Sequence, residues 1–143
     1  MYDRPNLGLE EAVRGLLAAL EEAQKDEAEG RPVVVAIVDH KGELVCYARQ
    51  DACLEMSKDM AVRKAYTAAI GRRNSADYAE YIEKATGRKI ELAMGMQVTS
   101  GRGGVVIKRS VDGVCLGGIG VSGAANAPRD EEIGRAGIEA MGV

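Results

Sequence analysis

The sequence contains no Phe and no Trp, and its one histidine is His40. Without large rings other than Tyr, the core has to be filled by Ala, Val, Ile, Leu and Met, and small residues suit close approach of helices to a sheet. A single imidazole excludes a metal centre built on a histidine cluster. The three cysteines, Cys46, Cys53 and Cys115, form no C-x-x-C and are too few and too scattered for a disulfide framework. Positive charge is not in surplus: 19 Lys and Arg stand against 22 Asp and Glu, a net charge of −3, so the basic footprint of a nucleic-acid binder is missing. No apolar run is long enough for a membrane span and no secretory leader is read. The expectation is a cytoplasmic chain in a reducing compartment, without nucleic-acid or membrane partners.

What is present reads as one domain over residues 1–143, long enough to bury a core without staples. Residues 8–29 carry Leu9, Ala12, Val13, Leu16, Leu17, Leu20 and Ala23 at helical spacing, and Gly30 before Arg31-Pro32 stops the pattern. Val33–Val38 is a continuous apolar run, then Asp39-His-Lys-Gly42 is a turn and Glu43–Ala48 a returning strand. A helix over 57–70 has the small-residue stripe Ala61, Ala65, Ala68 and Ala69, and Gly71 is placed to end it. A short helix spans 75–85 with Asn74 or Ser75 as its cap, and another turn or two falls within 89–96. Gly103–Lys108 and Val114–Val121 form a second hairpin around Val111-Asp-Gly113. Pro128 opens a last helix to Met141, with Asp130, Glu131 and Glu132 in its first turn. The fold class is α+β: an antiparallel sheet of two hairpins flanked by N-terminal, central and C-terminal helices.

Several motifs invite chemistry. Gly118-x-Gly120-x-x-Gly123 matches the dinucleotide fingerprint by letter. That fingerprint needs a βαβ unit with a second parallel strand, and the chain ends about 20 residues on, where no such strand fits. Packing of the strand under a helix is the plainer reading. Gly120-Val-Ser122-Gly-Ala124 approaches a hydrolase elbow, but Ala124 replaces the last glycine and His40 precedes the serine. Arg72-Arg73 lies at a helix end, where interaction with the dipole explains it more simply than phosphate binding. Arg49, Asp51, Lys64 and Thr67 form the most suggestive group. Lys64 and Thr67 share a helix face, and a lysine partly buried there could bind an anion or act as a base. A surface ion pair with Asp51 is the plain alternative.

Five segments fall in one order: Pro32–Asp39 with Gly42, Arg49-x-Asp51, Lys64-Ala-x-Thr-Ala68, Gly103-Gly-Val-Val-Ile107, and Gly118–Gly123 with Asp130-Glu131. Together they resemble the GlcG/HbpS-like family, which includes the C-terminal domain of PduO-type proteins. The resemblance implies a profilin-like fold, assembly into dimers, tetramers or octamers, and a link to haem or a corrinoid, some members being described as haem-degrading. It makes Gly120 and Ser122 one wall of a ligand site opposite Arg49 and Lys64, with Asp39 and Thr67 as further ligand contacts. The sequence departs from the pattern at one point: haem-binding relatives use a histidine near the N-terminal helix, and none occurs there. A binding module for an anionic small molecule is the first expectation. The alternative is a small enzyme acting on a short organic acid, with Lys64 and Asp51 as acid–base groups and Arg49 anchoring a carboxylate. A subunit with no ligand is the third.

Overall fold

The β-branched run and the two glycine-rich strands are too apolar to face water, and they pair with one another. In the computed structural model, which describes residues 1–26 and 31–143, four antiparallel strands form one sheet in the order β2-β1-β4-β3. Among the described residues the elements run α1 Leu9–Gln24, β1 Val34–Asp39, β2 Leu44–Arg49, α2 Glu55–Gly71, α3 Ser75–Thr86, α4 Ile90–Met94, β3 Gly104–Lys108, β4 Cys115–Ser122 and α5 Ala127–Met141. Both expected hairpins are present, and β1 joins them by pairing with β4 from Val34–Ser122 to Asp39–Gly117. The expected end of α1 at residues 27–30 lies outside the described residues.

Helices cover both faces. Val33, Val35, Ile37, Val105, Ile107, Ile119 and Val121 pack against Ala12, Leu16 and Ala19 of α1 and Ile133 and Met141 of α5. On the other face Val34, Ala36 and Val38 meet Ala61, Ala65 and Ala69 of α2. The alternation along β1 is that of a strand buried on both sides. In α1 the alanines turn inward, while Leu9, Val13 and Leu17 face out, with Leu9 63% and Leu17 60% exposed. A narrow inner stripe satisfies the sheet, so half of the predicted apolar face of α1 is left uncovered.

The glycine run owes its composition to α2. A Cβ on Gly118 would lie 2.4 Å from the Ala65 carbonyl oxygen, and one on Gly120 would lie 2.0 Å from that of Ala61. These are backbone atoms of a helix seated directly on the strand, and they cannot give way. With every strand antiparallel, the run is a packing surface and the dinucleotide reading is closed. One helix end differs from expectation. Gly71 does not supply the left-handed stop: it is the last helical residue, where a Cβ would meet the Tyr78 ring at 2.3 Å. Arg72 takes the left-handed position, at φ 53°.

Candidate functional site

At one end of the sheet β1 and β3 begin and β2 and β4 finish, since Val34 faces both Arg49 and Ser122. Most of the charged residues singled out in the sequence arrive there. Arg49 closes β2. The loop after it is clamped by Gln50, whose N–H donates to the Val33 carbonyl at 2.9 Å and whose Oε1 accepts from the Val33 N–H at 2.8 Å. The loop therefore holds an open cleft of about 270 Å³ lined by Arg49, Asp51, Cys53, Glu55 and Lys58. Lys58 donates to Glu55 at 2.9 Å and holds that carboxyl below its ordinary range, with a smaller pull from Arg49. Arg49 makes no ion pair among the described residues, and Leu54 and Met56, at the start of α2, are exposed, at 65% and 69%.

Lys64 is not in this cleft. Its residue is 6% exposed, and its ammonium donates to the Val121 carbonyl at 2.9 Å and to Asp130 Oδ2 at 3.2 Å. Asp130 Oδ1 accepts the Ala124 N–H at 3.0 Å, so both carboxylate oxygens are engaged. Burial pushes the Asp130 carboxyl up, and the adjacent ammonium offsets this only in part. Gly103 and Gly104 make the room: a Cβ on Gly103 would sit 2.8 Å from the ammonium, and one on Gly104 would sit 2.2 Å from the Lys64 carbonyl oxygen. Glu131, 4% exposed, continues the network to Arg102 at 3.0 Å and Arg135 at 3.4 Å.

The expected grouping is thereby rearranged. Asp51 is exposed in the loop and does not meet Lys64, whose carboxylate partner is Asp130. Thr67 is fully buried, its hydroxyl donating to the Arg63 carbonyl at 2.7 Å and accepting the Thr99 N–H at 3.0 Å, which ties α2 to the segment before β3 and leaves no group for a ligand. Gly120 lies under α2, with no backbone at a surface. Ser122 ends β4, 8% exposed, at the same end of the sheet as Arg49. Asp39 lies at the opposite end, where its Oδ1 accepts the N–H groups of Lys41 at 2.8 Å and Glu43 at 3.0 Å and so shapes the hairpin turn. His40, in that same turn, is likewise far from Ser122, which removes the hydrolase pairing.

Asp130 and Glu131 were read in the sequence as helix-dipole acids. That account holds for Asp130, in the first turn of α5, but it misses the burial of both. Their presence in the same ordered motif set as Lys64 was the available signal. No group of three or more His, Cys, Asp or Glu suited to a metal occurs among the described residues. Burial raises the Cys46 thiol, which works against a thiolate ligand.

Comparison with known proteins adds four likenesses. Residues 7–139 match the family model described as haem degrading protein HbpS-like. Protein GlcG of Escherichia coli (strain K12) is 36% identical over 107 residues, covering 75% of this chain and 74% of that protein. A double mutant of HbpS from Streptomyces reticuli superposes with a TM-score of 0.83 at 32% identity, over 97% of this chain and 89% of the other. A complex of PduOC with haem superposes with a TM-score of 0.79 at 28% identity, over 95% of each chain.

Proposed function

The chain belongs to the HbpS-like family, and on that footing we propose that it is a homo-oligomeric binding protein for a flat, carboxylate-bearing small molecule of the tetrapyrrole class, haem or a corrinoid. The observation that carries this reading is the cleft at the end of β2. There the Arg49 guanidinium, without an ion pair among the described residues, lines the cleft, and the loop that carries it runs into exposed Leu54 and Met56 at the start of α2. An apolar face next to a cation suits a macrocycle with acidic side arms, because Arg grips a carboxylate with two parallel hydrogen bonds.

The donor set fits such a ligand in part. Arg49 and Lys58 would meet the acidic arms, Leu54 would lie against the ring, and the Cys53 sulfur in the cleft lining and the Met56 thioether are soft donors on the same stretch of chain. His40 belongs to the opposite end and has no place in the cleft. The cleft of about 270 Å³ is below the usual size of an enclosed ligand pocket. A macrocycle would therefore extend beyond the cleft, and burying it would need further surface such as a second copy of the chain could supply. The outward Leu9, Val13 and Leu17 stripe of α1 is surface that self-association would bury. A bound tetrapyrrole would supply the redox metal, and the protein would seat its ring, neutralise its carboxylates and limit its access to water.

Titration with haemin, followed at the Soret band, tests this. A saturable shift at micromolar protein is expected, weakened about tenfold by Arg49→Ala. No saturable change with haemin or cobalamin would sink the reading. A second reading keeps a small enzyme acting on a short organic acid. Its support is a buried Lys64 beside a carboxyl pushed up by burial, with Asp130 taking the acid–base place first assigned to Asp51. Turnover of a short organic acid that disappears in Lys64→Met while haemin binding persists would favour it.

A further inference from the structure

The opposite end of the sheet holds a second cleft, of about 260 Å³, lined by Arg4, Arg72, Lys108, Gly113, Val114 and Cys115. Three cations converge on it, and among the described residues none of the three is ion-paired. Two carboxylates neighbour lining residues in sequence: Asp3, beside Arg4, makes no ion pair among the described residues, and Asp112, beside Gly113, is occupied, since Arg109 binds it with both Nε and Nη2 and holds its pKa down to about 2. Arg4 is anchored through Nη2 to the Cys115 carbonyl at 2.6 Å, while its Nε is buried with no hydrogen-bond partner among the described residues. An unpaired buried donor on a charged group is costly, and three like charges around one small cleft repel one another.

Arg72 adds an independent observation. It occupies the left-handed cap of α2, a position that glycine fills without strain. Gly71 stands immediately before it, so the left-handed position has been left to a residue with a long cationic side chain. Its neighbour Arg73 is used differently, its guanidinium carbon lying 4.3 Å from the centre of the Tyr81 ring. The helix-end reading of the pair, attraction to the α2 dipole, explains a basic residue at this terminus. It does not explain why the side chain shares a cleft with Arg4 and Lys108.

We propose that this cleft is an anion site for a phosphoryl group, with Arg4, Arg72 and Lys108 as its ligands. A doubly charged phosphate, with several acceptor oxygens, can engage three donors from different elements. A single carboxylate is satisfied by one arginine fork. The site joins the N-terminal segment, the end of α2 and the β3–β4 hairpin. Its occupant would tie these three pieces together. It lies at the other end of the sheet from Arg49, so it stands or falls independently of the tetrapyrrole reading.

The test is thermal unfolding of the whole chain against inorganic phosphate at constant ionic strength, with sodium chloride as the matched control. A phosphomonoester, glycerol phosphate, and a tricarboxylate, citrate, are run in parallel. The expected result is a saturable rise in Tm with phosphate, the ester or both, and a loss of affinity of about tenfold or more in each of Arg72→Gly and Lys108→Ala. If the ester acts where free phosphate does not, the ligand is a phosphorylated metabolite, and if both act it is the phosphoryl group itself. A rise no larger than that with chloride, an equal rise in both variants, or a stronger response to citrate than to either phosphate would overturn the assignment.

Discussion

The two ends of the sheet treat positive charge in opposite ways. Where β4 runs into α5, Lys64 is buried against Asp130 and the Val121 carbonyl, and Arg102 and Arg135 close on Glu131. Where β3 turns into β4, Arg4, Arg72 and Lys108 face one cleft with no carboxylate among the described residues. Arg49 belongs to the first end by position and to the second by character, because it too makes no ion pair among the described residues. The contrast separates two uses of a cation. A buried, paired cation fixes how α2 and α5 meet the sheet. An unpaired one at a cleft is available to something that is not part of the chain.

The largest expected effect breaks the closed end. Lys64→Met keeps the volume and removes the ammonium, leaving the Asp130 carboxylate buried without its partner, a change that costs about 3–5 kcal/mol. The pH dependence has a definite sign. Folding already raises the Asp130 pKa, so the stability this carboxyl contributes is present below its unfolded value and is lost as pH rises through its folded value. Without Lys64 the folded pKa rises further, so the gap between variant and wild type widens from pH 4 to pH 7. Urea unfolding at both pH values measures it. A gap that is constant or narrows with pH would mean that Asp130 does not depend on Lys64.

The next effect acts on the strand that joins the two ends. Gly120→Ala puts a methyl group 2.0 Å from the Ala61 carbonyl oxygen, so α2 must lift from the sheet. Overpacking of this kind costs about 1–3 kcal/mol. Because Lys64 and Arg72 both ride on α2, the variant should disturb both ends, weakening the response to phosphate as well as lowering Tm. An unchanged Tm would show that the close seating of α2 is not needed.

This packing explains how far the sequence could be read. The hairpins, the antiparallel sheet and the helix order were legible because each rests on local signals: β-branched runs, Asp-x-x-Gly and Asp-Gly turns, and Pro128 at the start of α5. The buried pair was not legible, because Lys64 and Asp130 are 66 residues apart and meet only once Gly103 and Gly104 have cleared a path. Arg49 and Asp51 looked like partners of Lys64 because they were near in sequence, yet the side chains part across the width of the sheet. Thr67 looked available because it shares a helix face with Lys64, but the Thr99 N–H donates to its hydroxyl. Gly71 was read as a helix stop by type alone. Tyr78, which requires the space, is seven residues further on and in another helix.

The smallest expected effect, and the most discriminating, is at Arg72. Left-handed backbone costs a residue with a Cβ about 1–2 kcal/mol, and glycine surrenders about 0.5–1 kcal/mol through its freer unfolded chain. Arg72→Gly should therefore stabilise the fold by about 0.5–1 kcal/mol, and more at low salt, where repulsion from Arg4 and Lys108 is least screened. Lys108→Ala, exposed and unstrained, should change stability by no more than about 0.5 kcal/mol. If both variants fold as well as wild type or better and neither responds to phosphate, then the arginine is kept at the cap for what it binds, against the preference of the backbone. If Arg72→Gly instead lowers Tm in the absence of any anion, the guanidinium stabilises α2 directly, and the open end of the sheet is closed by contacts of its own.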